Sequence, residues 1–140
     1  MIDTSAWVNR IADLAPSLVD VGAAADLAAA QKGTVRTPSG WVLIGTERAL
    51  ENPYANAVDQ EVIVEIGIVI AVRNVKSPSG APGMDALREA RGEIEQAVLG
   101  WQPDDANDMV EYLSGSLLGF DNMVLWWMDT YSTSYSKRGT

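Results

Sequence analysis

Histidine and cysteine are both absent from the 140 residues. Without histidine there can be no Ser-His-Asp triad, no Cys-His pair and no imidazole metal ligand. Without cysteine there are no disulfides, no thiolate metal sites and no cysteine nucleophile. The lack also fits a reducing compartment. Basic residues are few: ten Lys+Arg face nineteen Asp+Glu, for a net charge of −9. That excludes a domain whose main task is gripping nucleic acid, because such binding is driven by counterion release from a basic surface. Long apolar runs are missing as well. The longest, Ile66–Val72, is seven residues, where a membrane-spanning helix needs about 20. Met1–Asp3 has no basic start of a signal peptide. The expectation is a protein made and used in the cytoplasm, or exported only as part of something larger, with no membrane partner. What is present is an ordinary balance of 47% hydrophobic and 21% charged residues, typical of folded soluble domains. The length is enough for one core, and a single domain over residues 1–140 is expected.

Trp7, Val8, Ile11 and Leu14 recur at helical spacing after Asp3-Thr4-Ser5, which predicts a helix over Thr4–Ala15 stopped by Pro16. A short apolar stretch, Leu18–Val21, precedes an alanine-rich segment from Gly22 to Gly33 that predicts a second helix. Trp41–Gly45 reads as a strand and Thr46–Asn56 as a polar loop. From Gln60 to Asn74 the chain alternates strictly. Val62, Val64, Ile66, Ile68, Ile70 and Val72 share one face, and Ile63, Glu65, Gly67, Val69, Ala71 and Arg73 share the other. Gly67 is expected to mark a bulge or bend. This strand and Trp41–Gly45 are expected to pair antiparallel. Val75–Gly83 reads as a surface loop. Met84–Leu99 reads as a third helix with Leu87, Ala90, Ile94, Ala97 and Val98 on its buried stripe, ended by Gly100. Two last strands, Val110–Phe120 and Met123–Tyr135, join near Asp121-Asn122. The order ααββαββ predicts an α+β fold with helices packed on one face of a mainly antiparallel four-stranded sheet.

The chemistry such a chain can hold is narrow. Asp104, Asp105, Asp108 and Glu111 cluster in an acidic loop. Their spacing lacks the central glycine of a Ca²⁺-binding loop, so they read as a solvated surface rather than a metal site. Residues 85–111 hold eight acids against two bases and carry most of the negative field. No phosphate-cradling glycine loop occurs, and Gly115-Ser116-Leu117-Leu118-Gly119 has no histidine to activate its serine. No cofactor is expected. The unusual stretch is Leu125-Trp126-Trp127-Met128-Asp129-Thr130-Tyr131. On a strand, Trp126 and Trp127 face opposite sides, so one enters the core and the other lies on the far face. Exposed tryptophan marks interface hot spots; a sheet buried on both faces, or an edge covered by the loop around Asn56, is the alternative. Arg73 pairs either with Glu65 or with a neighbouring subunit. Glu65, Arg73, Trp126, Trp127, Asp129 and Tyr131 are the candidate subunit or partner interface.

Several of these residues together resemble a known family. The long strand ending Ala71-Val72-Arg73-Asn74 is followed by a helix with Asp85-Ala86-Leu87-Arg88 and Arg91. Then come Gly100-Trp101 with Pro103, Glu111-Tyr112, Gly115-Ser116-Leu117-Leu118, the Leu125–Tyr131 stretch and Tyr135. Their order and spacing over Gln60–Tyr135 resemble the tail terminator (tail-completion, minor tail protein U-like) proteins of long-tailed double-stranded DNA phages. Met128 stands where much of that family has Gln, so no role is carried over to that side chain. The resemblance implies a non-enzymatic protein of the virion, at the head-proximal end of the tail and assembled in the host cytoplasm. It implies a homohexameric ring that caps the tail tube, ends its polymerisation and offers a docking surface to the head-completion (neck) proteins. Genomic DNA would pass through the ring without specific binding, and an acidic lumen would repel its phosphates. Long strands such as Gln60–Asn74 would supply contacts between neighbours. Another head–tail connector or a tube-like virion protein is the alternative, and a small carboxylate- or metal-dependent enzyme is the remote one.

Overall fold

The computed structural model describes residues 1–74 and 81–139. Helix α1, Thr4–Leu14, starts where the Asp3 carboxylate accepts the backbone N–H of Ser5 at 2.9 Å and stops before Ala15-Pro16. It buries Trp7 and Ile11. Strand β1, Asp20–Ala23, leads directly into α2, Ala24–Lys32, whose Asp26 accepts the N–H of Ala23 at 3.0 Å. The remaining elements are β2 (Ser39–Ala49), β3 (Val58–Arg73), α3 (Ala81–Val98), β4 (Glu111–Asp121) and β5 (Val124–Gly139).

The α+β class holds, but the sheet is mixed and has five strands, in the order β1-β2-β3-β5-β4. The added strand is β1, in the apolar stretch before the alanine run; at four residues it is too short for its periodicity to show. It runs parallel to β2, and every other neighbouring pair is antiparallel. A parallel pair needs a crossover, and α2 is that crossover.

This corrects the placement of helices on one face. The alternation of β3 is real, and both of its faces are covered over part of its length. Val62 through Val72 on one face pack with Trp7 and Ile11 of α1 and with Leu87, Ala90, Ile94, Ala97 and Val98 of α3. On the other face Val69 and Ala71 join Trp41 and Leu27 of α2, with Trp126 and Met128 half-buried beside them. An alanine-rich helix with a single buried leucine suits this smaller second core, because its small side chains allow close approach to the sheet.

Several boundaries move. β2 runs through Thr46–Ala49, expected as loop, and the bulge falls on β2 between Ile44 and Glu47. At Gly67 the pairing of β3 with β5 is unbroken; Gly67 instead leaves room for the side chain of Met128, whose sulfur would stand 3.2 Å from an added Cβ. β3 is the middle strand of the sheet, and its first residues, Val58–Glu61, run past the ladders of β2 and β4 and pair with Ser136–Gly139 of β5. Helix α3 begins at Ala81, inside the expected loop; the rest of that loop, 75–80, lies outside the described residues. Gly100, at φ +80°, ends α3 as expected. The turn from β4 to β5 has Asn122 and Met123 at φ 48° and 64°, with Asp121 paired to Val124. That is the primed two-residue turn which matches the twist of a hairpin.

Candidate functional site

Strand β4 lies at the edge of the sheet and is bonded only to β5. Ten of its eleven residues are exposed, the exception being Gly119. Tyr112, Leu113, Leu117, Leu118 and Phe120 are each 40–60% exposed. No charged residue and no proline stands between Glu111 and Asp121. Edge strands are normally blunted by charge, proline or cover; this one has only two bulges. They fall between Tyr112 and Ser114 and between Leu117 and Gly119, leaving Leu113 and Leu118 without cross-strand partners.

Besides its ladder with β5, the strand meets an ion pair whose acid is buried and whose cation is half-buried. Asp129 of β5 is 1% exposed and points into the α1/α3 face. Arg91 of α3 donates to both of its carboxylate oxygens, Nε to Oδ2 at 2.9 Å and a terminal nitrogen to Oδ1 at 3.0 Å. The indole N–H of Trp127 donates to Oδ1 at 2.9 Å, and the Tyr112 hydroxyl donates to it at 3.4 Å. The Arg91 guanidinium also lies 4.7 Å from the centre of the Trp127 ring. Tyr112 meets Tyr131 edge to face at 5.5 Å. Two-point guanidinium–carboxylate bonding fixes orientation as well as distance. Here it fastens α3 and β5 together, and Tyr112 adds the edge strand.

The electrostatics follow from the pair and from burial. The bond to Asp129 raises the Arg91 pKa above its ordinary value. Burial, and then the Asp129 charge, push Tyr131 far up and hold it protonated. A cavity of about 380 Å³ opens beside the pair, lined by Met84, Arg88, Arg91, Glu95 and Tyr131 among others. Both oxygens of Asp129 are already taken by donors. Among the described residues no group of three or more acids is placed to hold a metal ion. In the acidic loop, Asp105 accepts the N–H of Asp3 at 2.8 Å and Asp108 accepts the Ser134 hydroxyl at 2.6 Å.

The six candidate residues fall into three places. Trp127, Asp129 and Tyr131 gather on the α1/α3 face, with Asp129 and Tyr131 buried. Arg73 and Trp126 line one hollow of about 360 Å³ on the α2 face, against Gln31 and Val35. Trp126 stacks on Trp41 at 5.6 Å and is half covered by the α2 side of the sheet; the loop around Asn56 plays no part. Glu65 stands apart and accepts the Thr46 hydroxyl at 3.0 Å. Neither Glu65 nor Arg73 forms an ion pair among the described residues, so their pairing is not seen. Sequence reading missed Arg91 as the partner of Asp129. A signal existed: Asp129 shares the parity of Leu125, Tyr131 and Tyr135, and an acid on an inward face needs a cation.

The model of the family described as "Phage tail terminator protein" matches residues 1–139. The chain belongs to the phage tail terminator family. No curated protein matches it in sequence. Among solved structures, a chain of "Virion of native gene transfer agent (GTA) particle" superimposes with a TM-score of 0.52 at 10% identity, over 91% of this chain and 84% of that one. At that identity the likeness shows a shared fold. As a tail terminator family member, the protein is a structural component of a phage-type tail, and several of the residues that first suggested the family meet in its architecture. Arg91, Tyr112, Trp127, Asp129 and Tyr131 form the fastener just described. Gly115 is the close neighbour it requires: an added Cβ would stand 2.6 Å from the Tyr112 hydroxyl and 2.7 Å from Asp129 Oδ1. Among the described residues no helix is long and apolar enough to cross a membrane.

Proposed function

We propose that this protein is the terminator itself: a hexameric ring that caps the head-proximal end of the tail tube, ends tube polymerisation and docks the head-completion proteins. It acts by shape, as a single folded unit assembled in the host cytoplasm, and makes or breaks no covalent bond. The observation that carries this reading is the bare β4 edge. A long strand, uncharged between its end residues Glu111 and Asp121 and with five large apolar side chains in water, needs a protein partner. In a tail terminator family member that partner is another virion subunit. A tube grows by stacking one face on the opposite face of the next ring. A cap offers one face that fits the tube and another that does not repeat it. Arg73 and Trp126, exposed and half-exposed on the α2 face, and Glu65 are candidates for contacts with tube or neck. Asp129 and Tyr131 act behind the surface by setting β4. The net charge of −9 suits a lumen through which DNA passes without sticking.

The test is polymerisation of purified tail-tube protein with increasing amounts of this chain. Tubes shortened in proportion to the chain added, with density at one end only, are expected. Tubes of unchanged length, together with normal head joining in particles lacking the protein, would overturn the reading.

A further inference from the structure

The two edges of the sheet are built differently. At the β4 edge the helix layers stop short: among the described residues β4 packs chiefly against β5, with the Arg91–Tyr112 hydrogen bond of 3.3 Å reaching it from α3. At the β1 edge the strand is straddled, with α1 packed over β1 and β2 on one face and α2 over the same strands on the other. Leu14 at the end of α1 and Val19 before β1 are 49% and 47% exposed there. One edge is thus a bare strand, and the other is a short strand between two helices that reach its rim.

We propose that the β4 edge of one copy of this chain seats against the β1 edge of the next, between that copy's α1 and α2, and that this contact closes the ring. The proposal rests on the ring reading above and adds which surfaces meet. Three observations support a second copy as the occupant. The five large apolar side chains of β4 and the exposed Leu14 and Val19, which stand beside Asp13 and Asp20, lie on opposite edges of one sheet, so each copy can give one and receive the other. A contact between two different patches is heterologous and closes into a ring when the rotation from copy to copy divides the circle. β4 runs opposite to β1 in the strand order, so the junction repeats the antiparallel step of the β2–β3, β3–β5 and β5–β4 pairs. The exposed parts of the five β4 side chains amount to on the order of 500 Å², taking about 150–250 Å² for a large side chain. With the intervening backbone, that approaches the roughly 800 Å² per partner of a standard interface. The bulges at Leu113 and Leu118 leave these side chains as knobs rather than a regular ladder, so the contact is side-chain packing between helices more than added strand pairing.

Because the chain has no cysteine, disulfide trapping reads this directly. Leu117→Cys and Val19→Cys, both at half-exposed positions, are made singly and together in the full chain. They are oxidised in solution and again on capped tube ends, after melting curves show each variant folded; Leu113→Cys replaces Leu117→Cys if that variant does not fold. Mixing the two single variants is expected to give linked pairs at about tenfold or more the yield of either alone, since assembly raises the effective concentration of the two thiols. The double variant is expected to give a ladder that ends in a closed ring. Self-linking of Leu117→Cys alone would overturn the proposal, because it shows β4 meeting β4. Capped tubes or rings without cross-links would also overturn it while leaving the terminator reading intact. Failure to shorten tubes sinks that reading separately.

Discussion

Gly115 stands directly across from Asp129 in the β4–β5 ladder, and the space a side chain would need at residue 115 is filled by the Asp129 carboxylate, the Tyr112 hydroxyl and the Trp127 ring. The two residues are coupled. The buried acid can take its donors only because the facing strand carries no Cβ.

Gly115→Ala is therefore expected to destabilise the fold by about 1–3 kcal/mol, as overpacking of a filled site does. Gly92 is the control. It lies within α3 with nothing within 4 Å of an added Cβ, so Gly92→Ala should stabilise by about 0.5–1 kcal/mol through helix propensity. Thermal melts of the two variants should move in opposite directions; equal shifts would remove the steric argument.

Breaking the ion pair should cost more. Arg91→Ala leaves a carboxylate 99% hidden from water with only the Trp127 and Tyr112 donors. The expected loss is about 2–4 kcal/mol, below that for a fully buried pair because Arg91 keeps a third of its side chain in water. Arg91→Lys should restore only part, since an ammonium cannot make the two-point bond. Denaturant midpoints of the two variants measure the difference, and Lys restoring full stability would refute the geometry.

Alkaline pH should unfold the protein through its tyrosines. Burial, and then the Asp129 charge, raise Tyr131; burial comes first in raising Tyr112 and Tyr135 too, the latter also donating to Glu47 at 3.1 Å. An unfolded tyrosine ionises near pH 10. Above that pH the unfolded chain sheds protons which the native state keeps, so the unfolding free energy falls as pH rises. The contribution is complete below about pH 10. Melting temperature between pH 8 and 11.5 should fall steeply past about 10, and Tyr131→Phe should flatten the fall.

Met123 sits in the left-handed region at φ 64°, which disfavours a side chain. Met123→Gly should stabilise the isolated chain by about 1 kcal/mol, since the primed turn prefers Asn-Gly. An unchanged or lower melting temperature would contradict the turn geometry.

Assembly should respond to salt. At −9 per copy, repulsion opposes association, and raising ionic strength from about 0.1 to 1 M shortens the Debye length from about 10 to 3 Å. Size-exclusion chromatography should show the equilibrium moving toward the ring. A profile unchanged across that range would remove charge from the account of assembly.

The sequence by itself determined the elements that carry a strong period: α1, α3, and above all β3, whose alternation from Val62 to Val72 fixed which side chains enter the larger core. It also determined the chemistry that is missing, since a chain without histidine or cysteine cannot hide either in its fold. It placed Trp126 and Trp127 on opposite faces, because strand parity is a local property. β1 was not legible, since four residues show no period, and with it went the parallel pairing and the position of α2. Neither was the meeting of Arg91 with Asp129, 38 residues apart, nor the bareness of β4. Only the tertiary structure decides those, because a strand's neighbours, and whether a helix reaches far enough to cover it, depend on how distant segments pack and not on the segment itself.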